Sequence, residues 1–164
     1  MQPIHITLFT SMPTYRIIQL IEKDSELIIQ RLLERVHSDP EVPNYQSLTD
    51  IELRTRARDL LTNLGSWLGT KDASRLNQRY EQLGAARHRE EMPLHEVVYK
   101  LHILRRLLMG HARDEHLEVN ALQLYGEQEF LCTLGEFFDR IVYSVVKGYS
   151  EAEIDRKQGN KTPN

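Results

Sequence analysis

Cysteine is almost absent from this chain, and several features that mark common protein classes are missing as well. Only one of the 164 residues is cysteine, Cys132, so no disulfide can form within the chain and a reducing compartment is expected. No apolar run approaches the roughly 18 residues that a membrane-spanning helix needs, and the first residues lack the basic region of a secretory signal. We therefore expect a cytoplasmic protein without a membrane segment.

A strong charge of either sign is missing too. The formal net charge is −3 with histidine counted as neutral, which is too small and of the wrong sign for a nucleic-acid-binding surface. Hydrophobic residues make up 40% of the chain and charged residues 27%, an ordinary balance for a globular protein. At this length we expect one domain with a proper hydrophobic core, and no nucleic acid as a partner.

Helical periodicity of the apolar residues fills most of the chain, whereas strand signals are scarce. Apolar positions three and four residues apart predict five main helices, at about 14–37, 49–68, 72–90, 93–110 and 120–152. A short helix or turn is expected at 111–118, a capping box at "TDIE" (49–52), and a helix stop at Gly69. The sequence therefore predicts an all-α fold of five or six helices with a long last helix, its neighbouring helices largely antiparallel.

The two ends of the chain differ from its middle. Residues 1–12 carry some β-type residues and are expected to form a flexible arm. Residues 153–164 are polar and are expected to be a disordered tail. Between them, 13–152 contain no internal repeat and no linker, which predicts a single helical domain.

The apolar stripes of the first and last helices are wider than one helix face needs. In the last helix the apolar residues alternate spacings of three and four, as in a coiled-coil seam. Such stripes predict burial on two sides, one within the domain and one against a second copy or a partner. The residues predicted to form this interface are Ile17, Ile21, Ile28, Leu131, Leu134, Phe138, Ile141 and Val145.

Residues able to carry chemistry are present, but not in the patterns that a reactive site requires. The histidines after residue 80 lack metal-chelating spacing, and Cys132 lies among leucines as a small hydrophobe does. We predict no enzyme, no metal and no cofactor. Two alternatives stay open: His102, within an apolar stretch, as an axial haem ligand, and His95, followed by an acid, as the acceptor of a phosphotransfer module.

Four arginines lie in and around "LGAARHREEMPLHEVVYKLHILRR" (83–106), interleaved with glutamates: Arg87, Arg89, Arg105 and Arg106. The favoured interpretation is a solvated helix face whose ion pairs contribute about 0.2–0.5 kcal/mol each. The alternative is a site that docks an anion or a partner protein.

Several short motifs follow one another in a characteristic order. They are "P-x-Y-x-x-L" (Pro43, Tyr45, Leu48), "WL" (Trp67, Leu68), "Y-x-x-L-G-x-x-R" (Tyr80, Leu83, Gly84, Arg87) and "MPLHEVVYKLHILRRLL" (92–108). This order, over about 17–150, resembles the N-terminal domain of the RsbT co-antagonist proteins of the bacterial stressosome. Similar domains precede the catalytic parts of some sensor histidine kinases.

The resemblance implies a globin-like helical fold without haem, usually dimeric, that senses a signal or docks a regulatory partner such as a kinase or a STAS-type protein. It implies that Gly84 allows close helix packing and that Pro93 starts the next helix. In "AARHREEM", Arg89 and Glu90 stand where a smaller residue is expected, so the linker is expected to be more helical. In the family the last helix leads into an output domain such as STAS, whereas only twelve polar residues follow residue 152 here.

Overall fold

Six α-helices make up the part of the chain that the structure describes, and no strand occurs within it. The structure, a computed structural model, describes the backbone of residues 12–114 and 121–159 and the side chains of 23–111 and 128–159. The helices are α1 (Met12–Ser38), α2 (Pro43–Gln46), α3 (Asp50–Thr70), α4 (Ala73–Arg89), α5 (Leu94–Asp114) and α6 (Ala121–Gly159). The predicted all-α class, the number of helices and the long last helix are confirmed.

The long helix α6 lies at the centre of the packing. It packs most extensively against α4 and also contacts α5 and α1, while α1 packs against α3. Aromatic rings join these layers, because Phe137 of α6 contacts Trp67, Tyr80 and Phe138 with ring centroids 5.6, 6.3 and 5.4 Å away. Tilted and edge-on ring pairs at such distances are favourable beyond the apolar area that they bury.

Helix α3 begins at the predicted capping box. The Thr49 hydroxyl accepts from the Glu52 N–H at 3.2 Å, and the Glu52 carboxylate accepts from the Thr49 N–H at 2.9 Å. The predicted stop at Gly69 is wrong by two residues. The left-handed residue that ends the helix is Lys71 (φ 53°), whose N–H donates to the Trp67 carbonyl.

Helix α4 ends at Arg89, inside the 83–106 stretch. The N–H of Met92 donates to the Arg87 carbonyl and the N–H of Glu91 donates to the His88 carbonyl, both at 3.0 Å. These two bonds form a Schellman motif, in which Glu91 takes the left-handed conformation (φ 57°) that glycine usually fills. The carbonyl of Pro93 then accepts from the first turn of α5, so this stretch is the joint between two helices.

Two glycines let α4 and α6 touch backbone to backbone. A methyl group at Gly84 would lie 2.1 Å from the Val145 carbonyl oxygen, and one at Gly148 would lie 1.9 Å from the Glu81 carbonyl oxygen. The close packing expected of Gly84 is confirmed. We call this place the glycine crossing.

Some boundaries differ from the sequence prediction. The segment predicted as a loop between the first two main helices contains the short helix α2, and α5 runs to Asp114 rather than to 110. Helix α6 continues to Gly159, so residues 153–159 of the expected disordered tail are helical. Residues 1–11, 115–120 and 160–164 lie outside the described residues. None of the helices within 12–114 and 121–159 has an apolar stretch long enough to cross a bilayer.

Candidate functional site

A small cavity lined by basic side chains lies between α2, α3, α4 and α5. Its volume is about 50 Å³, more than a single water molecule needs. Arg56 of α3, Arg87 of α4 and Lys100 of α5 line it, together with the rings of Tyr45 from α2 and Tyr80 from α4. We call this feature the cationic cavity.

The apolar pattern of the helices explains why two of these cations face inward. Lys100 lies three residues after Val97 and four before Leu104, and both of these neighbours are buried. Arg56 lies three residues after Leu53 and four before Leu60, and both leucines are buried. Residues three and four apart share one helix face, so each cation occupies a position that an apolar residue would ordinarily fill.

Lys100 is a buried ammonium without an acidic partner. Its side chain is 6% exposed, and it makes no hydrogen bond or ion pair within the described part of the chain. The centre of the Tyr45 ring lies 6.0 Å from its Nζ atom. Burial lowers the pKa of Lys100 to about 7, and repulsion from Arg87 and Arg56 acts in the same direction.

The two arginines share one carboxylate. Arg56 donates from Nη2 to Glu90 at 3.0 Å, and Arg87 donates from Nη1 to both oxygens of Glu90 at 2.8 and 3.0 Å. The arginine side chains are 17% and 11% exposed, whereas Glu90 is 41% exposed. The Arg56 Nη1 atom is buried without a hydrogen-bond partner. Arg56, Arg87 and Lys100 therefore bring three cations to the cavity, and Glu90 pairs with two of them.

The hydroxyl of Tyr80 is a second buried polar group without a hydrogen-bond partner among the described residues. Asn63 lies near it without completing a hydrogen bond, and burial raises the pKa of Tyr80. Burial raises the pKa of Tyr45 as well. Both phenols are therefore neutral near physiological pH, and each can donate one hydrogen bond.

Buried carboxylates fix the short segment that carries Tyr45. The carboxylate of Glu96 on α5 accepts from the backbone N–H of Asn44 at 2.9 Å and from its Nδ2 at 2.6 Å. Asp39, just after α1, accepts from the Tyr99 hydroxyl at 3.2 Å. These bonds tie the 39–46 segment to α5 and hold Tyr45 against the cavity.

Helix α4 connects the cationic cavity to α6. Tyr80 lines the cavity and also packs edge-on against Phe137 of α6. Gly84, one turn later, forms the glycine crossing with α6, and Arg87, a further turn on, lines the cavity again. Helix α4 therefore contacts both the cationic cavity and α6.

The residues predicted to form an interface are placed differently from that prediction. Ile28, Leu134, Phe138, Ile141 and Val145 are at most 1% exposed in the single chain. Ile28 lies on α1, which packs against α3, α5 and α6, and the other four lie on α6, which α4, α5 and α1 of the same chain cover. These five side chains therefore belong to the core of the single chain.

One of the three remaining members of the predicted interface lies among the described side chains. Leu131 is partly buried beside the core. The side chains of Ile17 and Ile21 lie outside the described residues.

The four arginines around the 83–106 stretch do not form one patch. Arg87 belongs to the cationic cavity, Arg105 pairs with Asp139 of α6 at 3.1 Å, and Arg89 and Arg106 are exposed elsewhere. The cavity thus combines one arginine that the sequence singled out with Arg56 and Lys100, which it did not. The spacing of these two cations within the apolar stripes was the signal that could have identified them.

The other residues considered for chemistry lie apart from the cavity. His95 is exposed in the first turn of α5, and His102 is half-buried on the same helix. Cys132 is exposed on α6 rather than packed as a small apolar residue. Among the described residues, no group of three or more His, Cys, Asp or Glu side chains could hold a metal ion.

Comparison with known proteins gives one finding. A family model described as the RsbT co-antagonist protein rsbRD N-terminal domain matches residues 26–159. That range contains the cationic cavity, the glycine crossing and the described part of α6 after residue 121. Neither the curated proteins nor the solved structures gave a match.

Proposed function

Because the chain belongs to the RsbT co-antagonist N-terminal domain family, we propose that it is a haem-free, non-enzymatic sensor module of globin-like fold that acts in stressosome-type signalling. Membership of this family indicates the signalling role. The observation that carries the sensing role is the position of α4, which lines the cationic cavity on one side and forms the glycine crossing with α6 on the other. Occupation of the cavity changes the position of α4, and α6 transmits that change.

The partners of this module are a second copy of the chain and a regulatory protein, a kinase or a STAS-type protein, in the cytoplasm. Two large apolar side chains on α6 support the dimer, because Tyr143 is 69% and Ile154 is 53% exposed. They are eleven residues apart, which places them within about 20° of each other around the helix axis. This stripe of α6, rather than its buried seam, is the surface that we propose to meet the second copy.

Size-exclusion chromatography with light scattering and a simultaneous absorption spectrum tests the proposal. We expect a colourless dimer at micromolar concentration. The variant Tyr143→Lys/Ile154→Lys is expected to be monomeric, because two like-charged ammonium groups per chain would face each other across the interface. The control is Ile51→Lys, which adds one lysine, half the charge added by the double variant, at a 78% exposed residue of α3; it should remain dimeric.

Other results, from this measurement or from a phosphorylation assay, would change the assigned function. A wild-type monomer would contradict the dimer. A Soret band that disappears in His102→Ala would replace the haem-free module by a haem sensor. Acid-labile phosphate on His95 after incubation with a cognate kinase would identify a phosphotransfer module instead.

A further inference from the structure

We propose that the cationic cavity is a binding site for a small oxyanion, either a carboxylate or inorganic phosphate, which Lys100, Arg56 and Tyr80 hold. This inference deepens the proposed function, because it names the chemical class of the signal, and it rests on that function for its meaning in signalling. Binding itself can be tested in isolation.

The charges around the cavity are unbalanced. Arg56, Arg87 and Lys100 line it, and among the described residues Glu90 pairs with the two arginines only. Asp59 also lines the cavity but is exposed to solvent and forms no ion pair with a described residue. A buried charge is costly unless a partner of opposite charge compensates it. An anion in the cavity would supply the compensation that Lys100 lacks.

Unused hydrogen-bond donors surround the same cavity. The ammonium form of Lys100 carries three N–H donors, and the Nη1 atom of Arg56 and the hydroxyl of Tyr80 are buried without a hydrogen-bond partner among the described residues. All three side chains line the same cavity. Ammonium and guanidinium groups form their strongest hydrogen bonds with carboxylate and phosphate oxygens, so the donor set matches an oxyanion better than a neutral ligand.

The side chains around the cavity are held in place before any ligand binds. Glu90 holds both arginines by contacts of 2.8 to 3.0 Å, and Glu96 fixes the segment that carries Tyr45. Groups that are held before binding lose little conformational freedom when the ligand arrives. Glu90 and Glu96 are thus positioning residues that orient the cations and the phenol without touching the anion.

The volume of the cavity restricts the ligand. Pockets for drug-sized molecules and cofactors measure roughly 300–1,000 Å³, whereas this cavity measures about 50 Å³. The space suits formate, acetate or a single phosphate group and excludes nucleotides and haem.

Binding should also depend on pH. The charged and titratable groups around Lys100 are Tyr45 from α2, Arg56 and Asp59 from α3, Tyr80 and Arg87 from α4, Glu90, which caps α4, and the buried Glu96, one turn earlier on α5. The pKa of Lys100 is about 7, and a bound anion favours its protonated form. The affinity for an anion of constant charge should therefore fall by up to about tenfold per pH unit above neutrality.

Isothermal titration calorimetry on the full chain tests the site with formate, acetate, sulfate and inorganic phosphate as probes, at matched ionic strength. We expect saturable binding of at least one probe. Preference for formate and acetate would identify a carboxylate signal, and preference for phosphate over sulfate would identify phosphate. The affinity for sulfate, whose charge is constant from pH 6 to 9, should weaken over that range.

Matched variants connect the binding to the cavity. Lys100→Met removes the charge and keeps the length of the side chain, and it should reduce the affinity by at least about tenfold, the effect of losing one charged hydrogen bond. Tyr80→Phe removes a single hydroxyl and should weaken binding less. Arg106→Met removes an exposed cation from α5, the helix that carries Lys100. This variant should leave the affinity unchanged.

A thermal melt distinguishes the expected loss of anion affinity from a loss of folding. Without anion, Lys100→Met should unfold at a higher temperature than the wild type, because it removes a buried charge that has no partner. Absence of saturable binding to every probe, or equal affinity in the wild type and Lys100→Met, would overturn the proposal. The dimer assay tests a separate claim. A monomeric Tyr143→Lys/Ile154→Lys variant should still bind the anion, so the dimer and the anion site can each be disproved without the other.

Discussion

Replacing Gly148 by alanine should destabilise the domain by about 2 kcal/mol, although alanine is the better helix former. Gly148 lies inside α6, where its missing side chain lets the Glu81 backbone of α4 approach. The new methyl carbon would lie 1.9 Å from the Glu81 carbonyl oxygen and 2.5 Å from the carbonyl carbon. Both atoms belong to the backbone, so no side-chain rotation can relieve the contact and the two helices must separate.

The magnitude follows from the separation that is needed. Ordinary contact requires the methyl group to move away by more than about 1 Å, and a gap of 0.5–1 Å already forfeits a quarter to a half of the dispersion energy of the atoms across it. Overpacking in cores costs about 1–3 kcal/mol, and a clash between backbones belongs at the upper end. The helix propensity of alanine offsets up to about 1 kcal/mol, which leaves the net cost of about 2 kcal/mol.

Urea denaturation followed by far-ultraviolet circular dichroism measures this cost. In a thermal melt of the same variant, the midpoint should fall by about 4–8 °C. The control is Gly69→Ala in α3, where an added methyl group meets nothing within 4 Å. That substitution should be neutral or stabilising by up to about 1 kcal/mol. Gly84→Ala should resemble Gly148→Ala, and the double variant should cost less than the sum because both disturb one contact. A Gly148→Ala protein as stable as the wild type would refute the glycine crossing.

Two further substitutions test local features. The pKa of Lys100 is about 7 in the folded chain and about 10.4 when unfolded, so between these values the unfolded state binds more protons and stability rises with pH. Urea midpoints should therefore increase from pH 7 to 9 in the wild type, and Lys100→Met should remove this increase; a parallel increase in the variant would contradict the assignment. Glu91→Gly should raise the free energy of unfolding by up to about 1 kcal/mol, because glycine adopts the left-handed conformation without strain. Urea denaturation checks this too, and a loss of stability would show that the Glu91 side chain contributes something beyond its backbone.

The features that could be predicted from the sequence are those with a local cause. The capping box needs only Thr49 and Glu52, three residues apart, and the helices need only the spacing of apolar residues along one segment. Gly84 was singled out through the family resemblance, and the structure supplies its physical reason in the approach of Val145.

The cationic cavity could not be predicted because its members come together only through tertiary packing. Tyr45, Arg56, Arg87 and Lys100 come from four helices, and no local pattern fixes which faces meet. Lysine is also rarely buried, so Lys100 is taken for a solvated residue when it is considered alone. Its place within the apolar stripe of α5 was the one available indication.

The interface prediction for α6 stays untested, but the burial of its residues within one chain could not be read from the sequence for a related reason. The width of an apolar stripe shows how much surface must be covered, but not which surface covers it. Phe138, Ile141 and Val145 are covered by the same chain, although a second chain would satisfy the same pattern. Only the packing of α4 and α5 against α6 distinguishes the two cases.

The glycine crossing also gives α6 the mechanics of a lever. Backbone contact at Gly148 prevents closer approach of α4 and α6. The Lys147–Glu81 ion pair and the Tyr149 hydroxyl, which donates to the Met92 carbonyl, resist their separation, each at 2.9 Å. The ten residues from Tyr149 to Gly159 extend about 15 Å beyond these contacts. A tilt of about 5° about this point would displace Gly159 by about 1.3 Å, comparable to the helix shifts that switch subunit interfaces. If the proposed anion tilts α4 and α6 together in this way, a neighbouring protein would meet a displaced end of α6.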